Sequence, residues 1–256
     1  MDGFRPDGNA FLWTIRSMHG QGTMKPVGLD KGESMTKTDI KKERKDLYAP
    51  SSTDFALVDV PELTYLMIDG DGDPNTAASY REAVEALYAV SYALKFASKK
   101  HLDRDYVVGP LEGLWSAADP SSFVRRAKDE WQWTMMIVQP EWITGEMVAK
   151  ATATTAAKKD VPAIPILRHE RYHEGCSVQI LHIGSYDDET SVLARLHDEF
   201  MPARGLTFNG PHHEIYLSDP RRTAPDRLKT ILRQPVRARD AGERACQRSH
   251  LRHIDR

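Results

Sequence analysis

Alternating apolar and polar positions mark the first element of the chain. Residues 55–68 alternate in this way and are rich in β-branched and aromatic types, which predicts a strand that the Asp/Gly-rich residues 69–74 end. Apolar residues then recur at helical spacing over 75–99, which predicts an amphipathic helix. Two more strand-like runs follow, at 106–115 and 131–139. The first half therefore predicts the order strand, helix, strand, strand.

The same order of elements recurs in the second half. A connector helix is predicted at about 140–160, in a segment rich in Ala and Thr that prolines close. Strand-like runs at 166–172 and 176–183 then lead to an amphipathic helix at 189–203, and short strands occupy parts of 206–217. The recurrence lies in the order of elements and not in letter-by-letter identity, and it indicates two related modules.

The expected fold class is α+β, with two pseudo-symmetric strand-helix-strand-strand modules whose antiparallel sheets enclose a central ligand cleft. A short C-terminal helix is also expected, because residues 223–226 match a capping box with a proline in its first turn. Few apolar residues occur near either end, which predicts a disordered extension and a disordered tail. The expected boundaries are 1–47 for the extension, 48–236 for the domain, 54–139 for module one, 163–218 for module two, 224–233 for the C-terminal helix and 237–256 for the tail.

Composition narrows the class of protein. The 256 residues are 40% hydrophobic and 28% charged, as in an ordinary globular protein, and a net charge of −2 provides no field that would attract nucleic acid. Apolar runs are far shorter than the roughly 20 residues of a membrane helix. Two cysteines and no secretory signal predict a cytoplasmic protein without a disulfide framework. The expected partner is a small molecule, with no nucleic acid and no membrane, and the oligomeric state stays open.

The segment 212–217 carries the most informative chemistry. Side chains alternate faces along a strand, so Glu214 and Tyr216 share one face while Ile215 and Leu217 take the other. If the apolar face packs on the core, the acid and the phenol face a cleft, as in a small-molecule site. The alternative is a one-sided sheet whose polar face lies in water.

Aromatic residues and a second acid accompany this segment. Trp131 and Trp133 lie two apart on a predicted strand and share a face, and Trp115 ends the preceding run, although each could instead pack in the core. Glu112 occupies the first half much as Glu214 occupies the second, so a pseudo-twofold arrangement would bring both acids and the tryptophans to one cleft. Lost hydration there raises the pKa of an acid toward neutrality, and its ionised form attracts a lipophilic cation held against aromatic faces.

Residues 169–173 match the H-E-x-x-H pattern of zinc hydrolases. In that mechanism His169 and His173 would lie on one face of a helix. Prolines precede the motif, Gly175 follows it, and its surroundings alternate like a strand, so a zinc site is the weaker interpretation. No metal and no cofactor are expected.

Three motifs resemble the GyrI-like small-molecule-binding family: Gly70-x-Gly72, residues 182–189 (HIGSYDDE) and residues 213–222 (HEIYLSDPRR). The resemblance extends over about 48–236. It implies paired strand-helix-strand-strand modules that enclose a hydrophobic cleft with a central acid, which Glu214 matches. The same fold occurs as the effector-binding domain of multidrug-sensing regulators. A DNA-binding regulator is disfavoured here, because residues 1–47 lack two consecutive helical patterns.

Residues 110–115 (PLEGLW) and 223–236 (TAPDRLKTILRQPV) resemble the stand-alone subgroup that includes cyclopropanoid cyclopropyl hydrolases. Those enzymes open the strained ring of DNA-alkylating natural products by adding water, using an aromatic cage and glutamates. The resemblance implies catalytic roles for Glu214 and Glu112. The ligand-binding candidates that it implies are Trp115, Trp131, Trp133, Tyr172 and Tyr216.

The leading hypothesis is a detoxifying hydrolase that holds a flat aromatic xenobiotic, with Glu214 and a supporting Glu112 deprotonating water. The first alternative is a non-catalytic protein that sequesters drugs or senses a ligand for another protein. The weaker alternative is a zinc hydrolase built on His169 and His173.

Overall fold

The computed structural model describes residues 37–119, 122 and 125–239, and the following account is confined to them. The expected tail beyond residue 239 and the expected extension before residue 37 lie outside these ranges. Among the described residues the strands are β1 (Ala56–Asp71), β2 (Leu111–Ala117), β3 (Trp131–Gln139), β4 (Arg168–Ile183), β5 (Leu206–Phe208), β6 (His212–Tyr216) and β7 (Lys229–Ala238).

Helices precede β1 and connect several of the strands. The α-helices are α1 (Ile40–Glu43), α2 (Lys45–Tyr48), α3 (Ala78–His101), α4 (Gly145–Ala156), α5 (Glu189–Ala194) and α6 (Met201–Ala203). A π-helical turn, Arg195–Phe200, joins the last two into one helical stretch. The helices predicted at 75–99 and 189–203 are therefore present, and α4 lies within the segment where the connector helix was predicted.

The strands confirm the α+β class and the two modules. Module one forms the antiparallel sheet β1-β3-β2, and module two forms the matching sheet β4-β7-β6. The two sheets join edge to edge, β1 with β4 and β2 with β6, so that six strands close into a barrel. β5 pairs only with the far end of β7.

The β2–β6 ladder defines how the two modules correspond. It runs from the pair Leu111–Tyr216 to the pair Trp115–His212, with Gly113 opposite Glu214 at its centre. A local twofold axis relates the two strands and passes through that central pair. Gly113 is therefore the counterpart of Glu214, and Trp115 is the counterpart of Tyr216.

The core lies on both faces of the closed sheet. The apolar stripe of α3 packs on the outer side, where Leu87, Val90 and Leu94 belong to one hydrophobic cluster with Ile68 of β1 and Ile137 of β3. These five side chains are fully buried, and each such burial stabilises the fold by roughly 1.5–3 kcal/mol. A second group fills the inside of the barrel from several strands; it consists of Tyr65, Met67, Leu114, Met136 and Val138.

The predicted C-terminal helix at 224–233 is wrong. That segment contains one 3-10 turn, Pro225–Arg227, followed by β7, which is the third strand of module two. Seven consecutive positions of β7 are buried, including Arg233 and Gln234. The capping-box signal at 223–226 begins only this single turn, and buried polar residues on both faces of β7 remove the alternation that would have indicated a strand.

The predicted extension 1–47 is wrong for its last residues. Residues 37–47 pack against the barrel as α1 and the start of α2, and Leu47 is fully buried. Its carbonyl oxygen accepts a hydrogen bond of 2.7 Å from Nη2 of Arg233. Helices of one turn are too short to show a helical period, so no periodic pattern marks them in the sequence. The predicted tail likewise begins too early, since β7 continues to Ala238.

The H-E-x-x-H motif lies on β4 and not on a helix. Four residues of strand separate His169 from His173 by about 13 Å, so the two side chains do not form a metal-binding pair. Within the described ranges no group of three or more His, Cys, Asp or Glu side chains is arranged to hold a metal ion. The geometry that the zinc interpretation requires is therefore missing from this motif.

The described part of the chain contains no helix that is long and apolar enough to cross a membrane.

Gly70 provides a test of the packing beneath α3. It pairs with Trp133, and a Cβ at this position would lie 2.2 Å from Cη2 of the indole. We expect Gly70→Ala to lower the free energy of unfolding by about 1–3 kcal/mol, because the indole must move. Urea unfolding measures this, with Gly145→Ala as the control, since nothing lies within 4 Å of a Cβ there. Equal stability of the two variants would contradict the packing described.

Candidate functional site

Acidic and aromatic side chains meet on the outer face of the barrel, where β2 of module one adjoins β6 of module two. Glu214 and Tyr216 project from β6 on this face, as the strand alternation predicted. The beginnings of α3 and α5 supply further side chains from above. We call this group the Glu214 site; it consists of Tyr80, Trp115, Trp131, Trp133, Tyr186, Glu189, Glu214 and Tyr216.

A chain of hydrogen bonds orients the central carboxylate. Nε1 of Trp115 donates to Oη of Tyr216 over 3.0 Å, and that hydroxyl donates to Oε2 of Glu214 over 2.8 Å. Gly113, opposite Glu214, leaves space for the indole, because a Cβ there would lie 3.0 Å from Nε1 of Trp115. The two counterpart residues of the modules, Trp115 and Tyr216, therefore cooperate in holding one acid.

Aromatic rings surround this carboxylate. Tyr80 of α3 stacks on Trp115 with 6.3 Å between ring centroids and meets Trp133 edge to face at 5.3 Å. Trp131 also approaches Trp115 edge to face, at 5.8 Å, and Tyr186 approaches Tyr216 in the same way, at 5.9 Å. Such pairs stabilise each other beyond their buried area.

The rings differ in how far they reach the solvent. Trp115 and Trp133 are 5% and 2% exposed and form the buried wall of the site. Tyr80, Trp131 and Tyr216 are half-buried, and Tyr186 is 42% exposed. Tyr186 is therefore the ring of this group that is most accessible to solvent.

The environment of Glu214 adjusts its proton affinity. Its side chain is 17% exposed. Burial raises the pKa of Glu214 to about 7, while the hydrogen bond from Tyr216 and the charge of His213 act in the opposite direction. Near neutral pH the carboxyl group therefore exchanges a proton readily, which is the property required of a general base.

Glu189 is a second acid of the site. It is the first residue of α5 and is 4% exposed. Burial, together with repulsion from Glu214, raises the pKa of Glu189 to about 9, although a hydrogen bond from Thr230 opposes this. The two carboxyl groups titrate as a pair, in two steps. At neutral pH Glu189 keeps its proton while Glu214 is close to losing its own, and this division suits an acid and a base.

Five of the seven residues predicted for the site are together in it: Glu214, Tyr216, Trp115, Trp131 and Trp133. Tyr172 is not among them. It lies on β4, opposite Leu63 of β1, and packs on the group that fills the barrel. The expectation that Tyr172 lines the same cleft therefore does not match the structure.

Glu112 also lies elsewhere, in the interior of the barrel. It is fully buried and contacts Tyr48 and His213. The expected convergence of Glu112 and Glu214 on one cleft is not present, because the true counterpart of Glu214 is Gly113. A shift of one residue along a strand moves a side chain to the opposite face.

Sequence reasoning missed three residues of the site: Tyr80, Tyr186 and Glu189. Tyr80 was recognised only as part of the apolar stripe of α3. Tyr186 and Glu189 lie within the motif at 182–189, which carried the family resemblance, but nothing in the sequence indicated that these side chains reach β6.

This fold and this site define a small-molecule-binding domain. The chain belongs to the GyrI-like small molecule binding domain family, whose model matches residues 53–237. The expected family membership is therefore confirmed. A comparison with curated proteins gives no match.

Solved structures from Listeria innocua are similar to the chain over 78% of its length and 100% of theirs. An uncharacterized conserved protein is 40% identical, with a TM-score of 0.73. Two structures described as a hydrolase are each 39% identical, with TM-scores of 0.71 and 0.69.

Replacing the titratable carboxyl group of Glu189 should make the stability of the fold less dependent on pH. The folded-state pKa of about 9 lies above the ordinary value of 4.5, so this group stabilises the fold below pH 4.5 and the contribution is lost as pH rises toward 9. Glu189→Gln keeps the shape and does not titrate. We expect the variant to gain roughly 1–3 kcal/mol of unfolding free energy relative to the wild type between pH 5 and pH 9.

Urea unfolding at the two pH values measures this gain. Glu141→Gln, at an exposed position, is the matched control and should show none. A stability difference between Glu189→Gln and wild type that stays constant with pH would show that Glu189 is not a buried acid of raised pKa.

Proposed function

We propose that this protein binds flat aromatic or lipophilic cationic molecules in the Glu214 site and hydrolyses a strained, electrophilic ring within them. A cyclopropane conjugated to a carbonyl group is the substrate class that we favour. The observation that carries the proposal is the carboxyl group of Glu214, which has a pKa near 7 and lies among aromatic rings.

Ring opening by water needs a base and an acid in turn. Ionised Glu214 accepts a proton from water as the oxygen bonds to a ring carbon. One ring C–C bond breaks, and its electron pair passes into the conjugated carbonyl, whose oxygen becomes an enolate or phenolate. Protonated Glu189 supplies the proton that neutralises this oxygen, so that one water molecule has been added overall.

Placement supplies much of the rate in such a reaction. A strained ring is already electrophilic, and holding it beside an oriented water molecule can contribute roughly 7–11 kcal/mol of the barrier. The hydrogen bonds from Trp115 through Tyr216 fix the position of the base. The relatives that are 39% identical and described as a hydrolase support hydrolysis as the reaction type.

The rate of hydrolysis, measured as a function of pH, should follow a bell-shaped profile. Activity should rise as Glu214 ionises near pH 7 and fall as Glu189 loses its proton near pH 9.

Glu214→Gln tests the role of the base. We expect turnover of a cyclopropane-bearing alkylator to fall by about 10²–10⁴-fold, because water loses its proton acceptor, while affinity for a neutral ligand changes less than about threefold. Multiple-turnover mass analysis measures the rate, and calorimetry measures the affinity. Glu141→Gln is the exposed control. Unchanged turnover in Glu214→Gln would overturn the assignment.

A second candidate function is binding without turnover, as in sequestration or ligand sensing. It is favoured by one observation, an acid that ionises against aromatic faces, because that arrangement attracts a lipophilic cation. The affinity of Glu214→Gln for a cationic dye separates the two functions. A cation binder loses affinity in this variant, whereas the hydrolase retains affinity for neutral compounds and loses rate.

Tyr186 tests whether the opening of the site binds the ligand. It is 42% exposed, so Tyr186→Leu should leave the fold intact. We expect its affinity for a planar aromatic ligand to fall roughly 2–10-fold, because one ring contact is lost. Tyr92→Leu is the control, since that tyrosine is 48% exposed on α3 and contacts none of the residues of the site in the described contacts. Equal affinities for the two variants would place the ligand elsewhere.

A further inference from the structure

A network of charged side chains fills the barrel directly behind Glu214. His213 precedes Glu214 on β6 and projects into the barrel interior, since neighbouring residues of a strand face opposite ways. Its Nε2 lies 3.0 Å from Oε2 of Glu112, and its Nδ1 lies 3.0 Å from Oε2 of Glu174. All three side chains are 0–1% exposed.

This geometry requires a charged imidazole. Each ring nitrogen faces a carboxylate oxygen, so each must donate a proton, and a histidine with two donors is an imidazolium. Burial alone would lower the pKa of His213, but the carboxylates of Glu174 and Glu112 outweigh it and raise the pKa to about 9. Burial alone would raise the pKa of Glu174, yet His213 and Arg233 lower it to about 2.

Arg233 completes the network. Its Nη1 donates to Glu174 over 3.1 Å, and its side chain is 1% exposed. The interior therefore holds two cations, His213 and Arg233, and two anions, Glu112 and Glu174, and its net charge is zero. Charges act over longer distances in such a dry interior than in water.

On the other face of the strand, the described histidine beside Glu214 is uncharged. His212 lies 3.7 Å from Oε1 of Glu214, but burial, with repulsion from His197 and His213, lowers the pKa of His212 to about 3 and leaves it neutral. The titratable groups that face Glu214 from its own strand and from the covering helices are Tyr80, Tyr186, Glu189, His212 and Tyr216. All of them are neutral near pH 7.

We propose that the buried network counteracts the effect of burial on Glu214 through the sheet, with His213 as a positioning residue whose positive charge favours the ionised form of Glu214. A change in the charge of the network then shifts the pH range in which Glu214 acts as a base. The consequence for catalysis rests on the proposed function, but the electrostatic coupling does not.

The coupling predicts shifts of opposite sign for two variants. His213→Gln leaves the interior with a net charge of −1, so the pKa of Glu214 should rise by roughly 1 unit. Glu112→Gln leaves a net charge of +1, so it should fall by a similar amount. Tyr48→Phe is the matched control: it removes the 2.9 Å hydrogen bond from Tyr48 to Glu112 without changing any charge, and should cause no shift.

The measurement is the pH titration of the Glu214 carboxyl carbon by ¹³C NMR of the full chain labelled at glutamate, assigned by the signal missing in Glu214→Gln. Glu112→Gln is isosteric and keeps the test available if His213→Gln does not fold. Shifts of one sign, or no shift in Glu112→Gln, would overturn the coupling. Turnover is measured separately, so a coupled Glu214 without turnover would count against the proposed hydrolysis alone.

Discussion

The pairing of β2 with β6 is the constraint on which the rest of the structure depends. It joins the two modules, and its central pair, Gly113 and Glu214, fixes which side chains face outward. Because the ladder is antiparallel and symmetric, Trp115 and Tyr216 become counterparts and lie on either side of one acid. At the centre of this ladder one strand carries a glycine and the other a glutamate, so only one of the two modules supplies a carboxyl group there.

The same ladder separates two environments by the thickness of a sheet. On the outer face, aromatic rings and partial burial shift the carboxyl groups of Glu214 and Glu189 toward their protonated forms. On the inner face, the charges of His213 and Arg233 outweigh burial and hold the pKa of Glu174 at about 2. The pKa of a carboxyl group on this barrel thus depends on the face that the group occupies. Neighbouring residues of β6, His213 and Glu214, lie on the inner and the outer face respectively.

Periodicity predicted most of the framework. The apolar stripe of α3, the alternation over residues 55–68 and the recurrence of strand-helix-strand-strand predicted the fold class and the two modules. β7 was predicted wrongly because the capping box at 223–226 indicated a helix, and because the buried polar residues Arg233 and Gln234 hide the pattern of a strand. The sequence pattern did not predict α1 and α2, because one turn of helix is too short to show a helical period.

The composition of the site was harder to predict than its centre. Glu214 and Tyr216 follow from local alternation, and the tryptophans follow from their spacing. Glu112 was misplaced by a single residue, because element order alone does not fix strand register. Glu189 could not be identified without tertiary contacts, since it approaches β6 only through the packing of α5.

Incubation of the protein with excess cyclopropane-bearing alkylator in ¹⁸O-labelled water, followed by mass spectrometry, tests the central claim most directly. The account predicts many product molecules per protein chain, each carrying one ¹⁸O atom at the opened carbon. Unaltered compound, or a single alkylator covalently attached to each chain, would contradict hydrolysis at the Glu214 site.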